Sequence, residues 1–329
     1  MKSIAFFNNK GGVGKTTLAC NLSAYLSLRM DKRILIIDAD PQCNSTQILF
    51  DDEQSEKIYS ENRFTISTII KPLSIGKGYS KNLEPTNSSR FGVDVIPGDP
   101  RLALTEDLLA IDWGQAISGS TRGLRTTFLF SELLSRCSHY DYVIFDMGPS
   151  LGSINRSILI ATDFFLTPVS TDIFSVKAME NISTWLQKWQ TQLQSGLEQN
   201  EEPEDLELPS TAIKLAFAGY VTQHYTAKRF LGGERQAVKA FDKIIKQLPA
   251  AVTSLTQRQG AAPKNINYNL GGIPNLHSLL PLSQISRKPI FELSGKDGVV
   301  GAHFTKINEY EGTIKAIANN LLDNLEALS

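Results

Sequence analysis

The chain has 329 residues, 41% of them hydrophobic and 20% charged, an ordinary globular composition with ample material for a core. Its 33 Lys plus Arg almost balance 34 Asp plus Glu, so nucleic-acid contact has to come from a local basic patch and not from net charge. Cys20, Cys43 and Cys137 form neither a C-x-x-C pair nor a disulfide framework. No apolar run approaches the roughly 20 residues of a membrane span, and no signal peptide precedes the first strand. A reduced, cytoplasmic protein is expected.

Taken in chain order, short apolar runs alternate with helix-period segments. Strands are predicted at Ile4–Phe7, Ile34–Ile37, Val93–Ile96, Tyr142–Phe145, Phe164–Thr167 and Leu215–Val221. Their unbroken apolar character suits strands covered on both faces. Leu18, Leu22, Tyr25 and Leu26 form one helix stripe between the first two, which makes a βαβ unit. The fold class is therefore α/β, a mostly parallel sheet flanked by helices. Loops or insertions are expected near 51–92, 112–125, 195–210 and 256–275, where Gly, Pro, Asn, Ser or charge accumulate. The stretch from Glu198 to Glu207 carries carboxylates and no basic residue. Ile314, Ile317, Leu321, Leu322, Leu325 and Leu328 predict a closing helix. With no internal repeat and no clean linker, residues 1–329 read as one elaborated domain.

Lys10-Gly11-Gly12-Val13-Gly14-Lys15-Thr16-Thr17 lies between the first strand and the first helix, the setting a P-loop requires. Glycines let backbone N–H groups turn inward around phosphates. Lys15 would reach the outer phosphates and the Thr16 hydroxyl would ligate Mg²⁺. Where the usual pattern begins with glycine the chain has Asn9, and Lys10 precedes the glycines. This K-G-G-x-G-K-[ST] run resembles the deviant Walker A of the ParA/MinD group of ATPases. The resemblance implies a P-loop NTPase fold, ATP and Mg²⁺ as ligands, and a homodimer closed around two ATP molecules. In that group Lys10 would cross to the nucleotide of the partner subunit.

Asp38-Ala39-Asp40-Pro41-Gln42-Cys43-Asn44 resembles the family's D-x-D-P-Q-x-N run, with Cys43 replacing the usual glycine. By resemblance Asp38 lies near the metal's water shell and Asp40 positions the attacking water. Tyr142-Val143-Ile144-Phe145-Asp146 has the form of a Walker B strand, and Asp146 would hold Mg²⁺ through water. Met147-Gly148-Pro149-Ser150 then stands where the family has Thr-Pro-Pro-Ser. Val93 to Asp99 and Phe164 to Val169 fit the same order, so the resemblance covers about residues 1–180. The family places an asparagine near the adenine after the strand that ends at Val221. Here Thr222-Gln223 occupies that place, and Thr222 and Pro281 are the candidate base contacts.

Arg235, Lys239, Lys243 and Lys246 recur at helical spacing, with Val238, Phe241, Ile245 and Leu248 roughly opposite. Such a row can track DNA phosphates without reading sequence, and it is equally what a soluble surface helix needs. The resulting reading is an ATP-dependent dimerising ATPase that partitions or positions DNA or other cargo, with hydrolysis stimulated by an adaptor protein. An ATP-controlled switch subunit of a protein complex, in plasmid maintenance or phage defence and without DNA tracking, is the alternative. A membrane-cycling form would need a basic amphipathic tail, whereas the segment from Asn319 to Ser329 has Asp323 and Glu326 and no lysine. An iron-protein relative would need cluster cysteines, and only Cys137 falls in a candidate region.

Overall fold

The computed structural model describes residues 1–60, 64–170, 172–208, 210–225, 227–229, 235–237, 246–258 and 266–329. In chain order the elements are β1 (Lys2–Phe6), α1 (Lys15–Met30), β2 (Ile34–Ala39), α2 (Asn44–Leu49), α3 (Asp52–Ser60), α4 (Ile66–Ser74), β3 (Thr86–Ser88) and β4 (Val93–Ile96). Then come α5 (Thr105–Ala116), α6 (Thr121–Thr127), α7 (Leu129–Ser135), β5 (Tyr142–Met147), α8 (Ser153–Ala161), β6 (Phe164–Ser170), α9 (Ile173–Gln199) and β7 (Ala216–Tyr225). Last are β8 (Ala227–Arg229), β9 (Arg235–Ala237), α10 (Leu248–Arg258), β10 (Asn269–Pro274), α11 (Leu279–Ser286) and α12 (His303–Ala327).

Eight strands form one sheet in the order β10-β7-β6-β1-β5-β2-β4-β3, and only the β3–β4 pair is antiparallel. Alternate side chains of each strand enter opposite cores, as the two-residue period of a strand dictates. Ile4, Phe6, Ile36, Ile144 and Leu166 pack with α1 and α12 on one face. Ala5, Phe7, Ile37, Phe145 and Phe165 pack with α4, α5, α7, α8 and α9 on the other. The parallel sheet is thus covered on both sides, which explains why its strands read as unbroken apolar runs.

Several expected loops are ordered elements. Residues 52–60 form α3, whose single buried side chain is Ile58. The glycines of 112–125 lie on a helix–turn–helix, because Gly123 lets α6 approach α5 so closely that a Cβ there would sit 2.4 Å from the Ala116 nitrogen. The acidic stretch is anchored: Arg125 pairs with Glu207 at 2.7 Å, Asn200 donates to the Gly119 carbonyl at 2.8 Å, and Leu206 is buried. Part of 256–275 is a strand, β10, paired in parallel with β7 at the sheet edge. An edge strand tolerates the Pro and Gly that argued for a loop.

The basic helix expected from Arg235 is corrected. Arg235–Ala237 is strand β9, paired antiparallel with Ala227–Arg229, because the backbone here satisfies its hydrogen bonds across a hairpin and not along a helix. Lys239 and Lys243 lie outside the described residues. Lys246 is exposed in the turn before α10.

Candidate functional site: a phosphate loop with buried carboxylates

The loop between β1 and α1 folds as its glycines require. Gly12 (φ 71°) and Gly14 (φ 76°) occupy the left-handed region, which costs an L side chain about 1–2 kcal/mol, and Gly14 caps the start of α1. The loop and the first turn of α1 therefore present backbone N–H groups to one space. Gly11 to Thr17 line a cavity of about 570 Å³, closed by Asp40, Gln42, Asn44, Gln47, Ile48, Pro149, Leu280, Gln284 and Arg287. That size suits a nucleotide-sized ligand. Gln223, at the end of β7, donates to the Gly14 carbonyl at 3.1 Å and ties the far side of the sheet to the loop.

Lys15 is 7% exposed, and its ammonium donates to the Lys10 carbonyl at 3.1 Å. Burial lowers its pKa, partly offset by the charges of Asp146 and Asp40. Lys10 takes a different course. Its ammonium forms an ion pair with Asp172 and donates to Ser170 Oγ at 3.2 Å, while its backbone N–H donates to Asn8 Oδ1 at 2.9 Å. The first lysine of the motif is thus held beside the end of β6 by its own chain.

Asp38 and Asp146 end neighbouring parallel strands at matched register. Both carboxylates are fully buried. Asp38 Oδ2 accepts from Thr46 N (2.8 Å) and Thr46 Oγ1 (2.7 Å). Asp146 Oδ2 accepts from Ser45 Oγ at 2.6 Å, and among the described residues its Oδ1 has no hydrogen bond. Burial raises both pKa values; the Asp146 charge adds to the effect on Asp38, while Ser45, Thr16 and Lys15 oppose it at Asp146. Two buried carboxylates side by side, with the Thr16 side chain beside Asp146, form a donor set that a cation would complete. Mg²⁺ suits it, being held through one or two carboxylates plus phosphates. Asp40 stands at the cavity wall, its Oδ1 accepting from Gln42 N at 3.0 Å.

The strand-end loops are fitted to these groups. Gly98 closes over Asp38: its N–H donates to Thr46 Oγ1 at 2.8 Å, and a Cβ there would lie 2.9 Å from the Asp38 carboxylate. Cys43, standing where the family has glycine, adopts φ 54° and ψ 35°, so the left-handed turn is kept without the residue that favours it. Asn155 on α8 donates to the carbonyls of Gly148 and Ser150, both at 2.8 Å, and fixes the loop carrying Pro149.

The structure brings Gly11 to Thr17, Asp38, Asp40 and Asp146 together, as the motifs suggested, with Lys10 at the side. Thr222 and Pro281 stand differently. The Thr222 hydroxyl donates to the Gly271 carbonyl at 3.3 Å, and its neighbour Gln223 reaches the phosphate loop. Pro281 is exposed, while Leu280 and Gln284 line the cavity. The sequence reading gave no role of their own to Ser45, Thr46, Gly98, Gln223 and Arg287, although Gln223 and Gly98 lie in runs it singled out. For Ser45-Thr46 a signal existed: two hydroxyls follow directly on the acidic turn, at the start of a helix that has to pack against β2.

A family model described as an AAA domain matches residues 1–199. The chain is 32% identical over 200 residues to the sporulation initiation inhibitor protein Soj of Bacillus subtilis, covering 60% of this chain and 69% of that protein. Over 189 residues it is 32% identical to a ParA family protein of Chlamydia trachomatis, covering 57% and 66%. The chain thus spans about two thirds of the length of these curated relatives. A crystal structure of a Corynebacterium diphtheriae protein superposes with TM-score 0.75 and 30% identity over 99% of each chain. An ATP complex of a McdA variant from Cyanothece shares the fold, with TM-score 0.63, 17% identity and 98% and 96% of the two chains covered. With its eight-stranded sheet, its phosphate loop and these relatives, the chain belongs to the ParA/MinD-type family of P-loop ATPases.

Proposed function

We propose that the protein is a partition-type ATPase, which dimerises on ATP–Mg²⁺, binds DNA non-specifically in that state and is reset by partner-stimulated hydrolysis. The observation that carries this reading is the convergence of Lys15, Thr16, Asp38, Asp40 and Asp146 on the phosphate loop, with Lys10 at its side. In this reading the loop N–H groups and Lys15 bind the phosphates. Asp40, on the wall of the cavity, orients the attacking water. Thr16, and through water Asp146 with Asp38 behind it, would hold Mg²⁺, which would supply neutralisation of the charge that develops on the phosphate. Phosphoryl transfer needs little more than such positioning and charge stabilisation. Lys10 exchanges its in-chain partner for the phosphates of the nucleotide bound by a second copy, which couples binding to dimerisation. Relatives named as chromosome partitioning proteins, in Myxococcus xanthus and Caulobacter vibrioides, support the biological role.

The test uses Asp40→Ala, which should retain ATP binding and lose turnover by at least about 100-fold. Its binding to random-sequence duplex DNA is measured with ATP–Mg²⁺ and with ADP, across a salt series. Tight, salt-sensitive binding with ATP alone supports the partition cycle. Dimerisation with ATP but no DNA binding in either state would leave the alternative, a nucleotide switch whose partner is a protein. That alternative draws support from Arg235–Ala237 being a strand, since the continuous basic helix face does not start there.

A further inference from the structure

Ser45 and Thr46 are the second and third residues of α2, which Asn44 opens after the left-handed Cys43, and their side chains are 0% and 1% exposed. These consecutive hydroxyls go to different strand-end carboxylates. Thr46 Oγ1 donates to Asp38 and accepts the Gly98 N–H. Ser45 Oγ donates to Asp146 Oδ2 at 2.6 Å, with the Cys20 thiol 3.6 Å behind it. A hydroxyl has one hydrogen, so that of Ser45 is committed to Asp146. The terminal torsion of an aspartate is broad and roughly two-fold, so an unrestrained carboxylate could turn either oxygen, or its edge, toward the phosphate loop. The Ser45 bond removes that freedom and leaves Oδ1 buried with no hydrogen bond among the described residues, in a carboxylate that the Thr16 side chain also approaches. A buried acceptor left open in this way calls for an explanation, and a hydrated cation supplies the missing donors.

We infer that Ser45 is a positioning residue for the metal: its hydroxyl fixes the rotation of Asp146, presents Oδ1 to hydrated Mg²⁺, and thereby sets the Mg²⁺ affinity of the nucleotide complex. The inference rests on the reading of Asp146 as the Mg²⁺ carboxylate given above. It also links two parts of the site. Ser45 rides on the helix whose Asn44, Gln47 and Ile48 line the cavity, so movement of that helix reaches the metal carboxylate directly.

The test compares the unaltered protein with Ser45→Ala, Ser45→Cys and Asp146→Asn. Mg²⁺ is titrated at fixed fluorescent ATP analogue, nucleotide affinity is measured in EDTA, and Mn²⁺ binding is followed by electron paramagnetic resonance. Groups that orient a metal's carboxylates typically change metal affinity or activity 10–100-fold when removed. Ser45→Ala is expected to raise the half-saturating Mg²⁺ concentration roughly 10-fold while leaving EDTA-state affinity unchanged. Ser45→Cys, a weaker donor of similar size, should fall between, and it keeps the comparison should Ser45→Ala not fold. An unchanged midpoint in the Ser45 variants beside a shifted one in Asp146→Asn overturns the inference alone. Equal loss with and without metal overturns it too, since Ser45 would then serve only folding. An unchanged midpoint in Asp146→Asn removes the metal reading of that residue, and this inference with it.

Discussion

Placing a methyl group at Gly98 tests how tightly the buried carboxylates are fixed. Gly98 has no left-handed φ, so Gly98→Ala carries no backbone penalty, and any effect comes from space. The new Cβ would lie 2.9 Å from both Cγ and Oδ2 of Asp38 and 3.0 Å from Cys43 Sγ. Asp38 cannot swing aside cheaply, because the same Oδ2 accepts both Thr46 bonds. The loop after β4 has to retreat, which strains the Gly98 N–H bond to Thr46 Oγ1. Overpacking of this kind costs about 1–3 kcal/mol. Urea denaturation gives the difference as a lower midpoint at unchanged slope. The matched control is Gly114→Ala on α5, where a Cβ meets nothing within 4 Å and the change should stabilise by about 0.5–1 kcal/mol. Should Gly98→Ala be as stable as the parent, the account of Asp38 as an immobile, enclosed carboxylate is wrong.

Asp172→Asn removes the in-chain partner of Lys10; a pair this exposed is worth about 0.5–1 kcal/mol. Two such pairs per dimer predict ATP-dependent dimerisation strengthened roughly 5–30-fold by sedimentation, and unchanged or weaker association would show that the pair does not compete with it. At the left-handed position 43, Cys43→Gly should exceed Cys43→Ala in stability by about 1 kcal/mol, and equal midpoints would deny the strain. Burial raises the Asp297 pKa, but bonds from Lys288 and Ser294 outweigh this and hold it at about 2. Its folded value being depressed, its contribution, at most about 2 kcal/mol, is present above the unfolded pKa and fades as pH falls toward 2. The stability gap between parent and Asp297→Asn should narrow from pH 5 downward, and a constant gap would refute the linkage.

The phosphate loop and the central strands were legible because their signals are local or doubly determined: three glycines and two lysines in a strand–turn–helix setting, and strands apolar on both faces. β10 was hidden because Asn269–Pro274 becomes a strand only through pairing with β7, far away in sequence. Thr222 and Gln223 show the limit at the site itself. Neighbouring residues of a strand point to opposite faces, so choosing between them requires the register of β7 against β6 and β10, which no local pattern carries. The basic residues from Arg235 fit a helix by spacing alone, and at Arg235–Ala237 a hairpin outcompetes that spacing.

The matched register of Asp38 and Asp146 has a consequence for how this candidate site can change. Their separation is a property of the backbone ladder between β2 and β5, which no side-chain substitution can lengthen or shorten. A deletion or insertion in either strand would carry one aspartate to the opposite face of the sheet. Substitutions in the surrounding helix and loops, at Cys43 or Ser45 for example, can therefore retune the pair's surroundings while its spacing stays with the backbone.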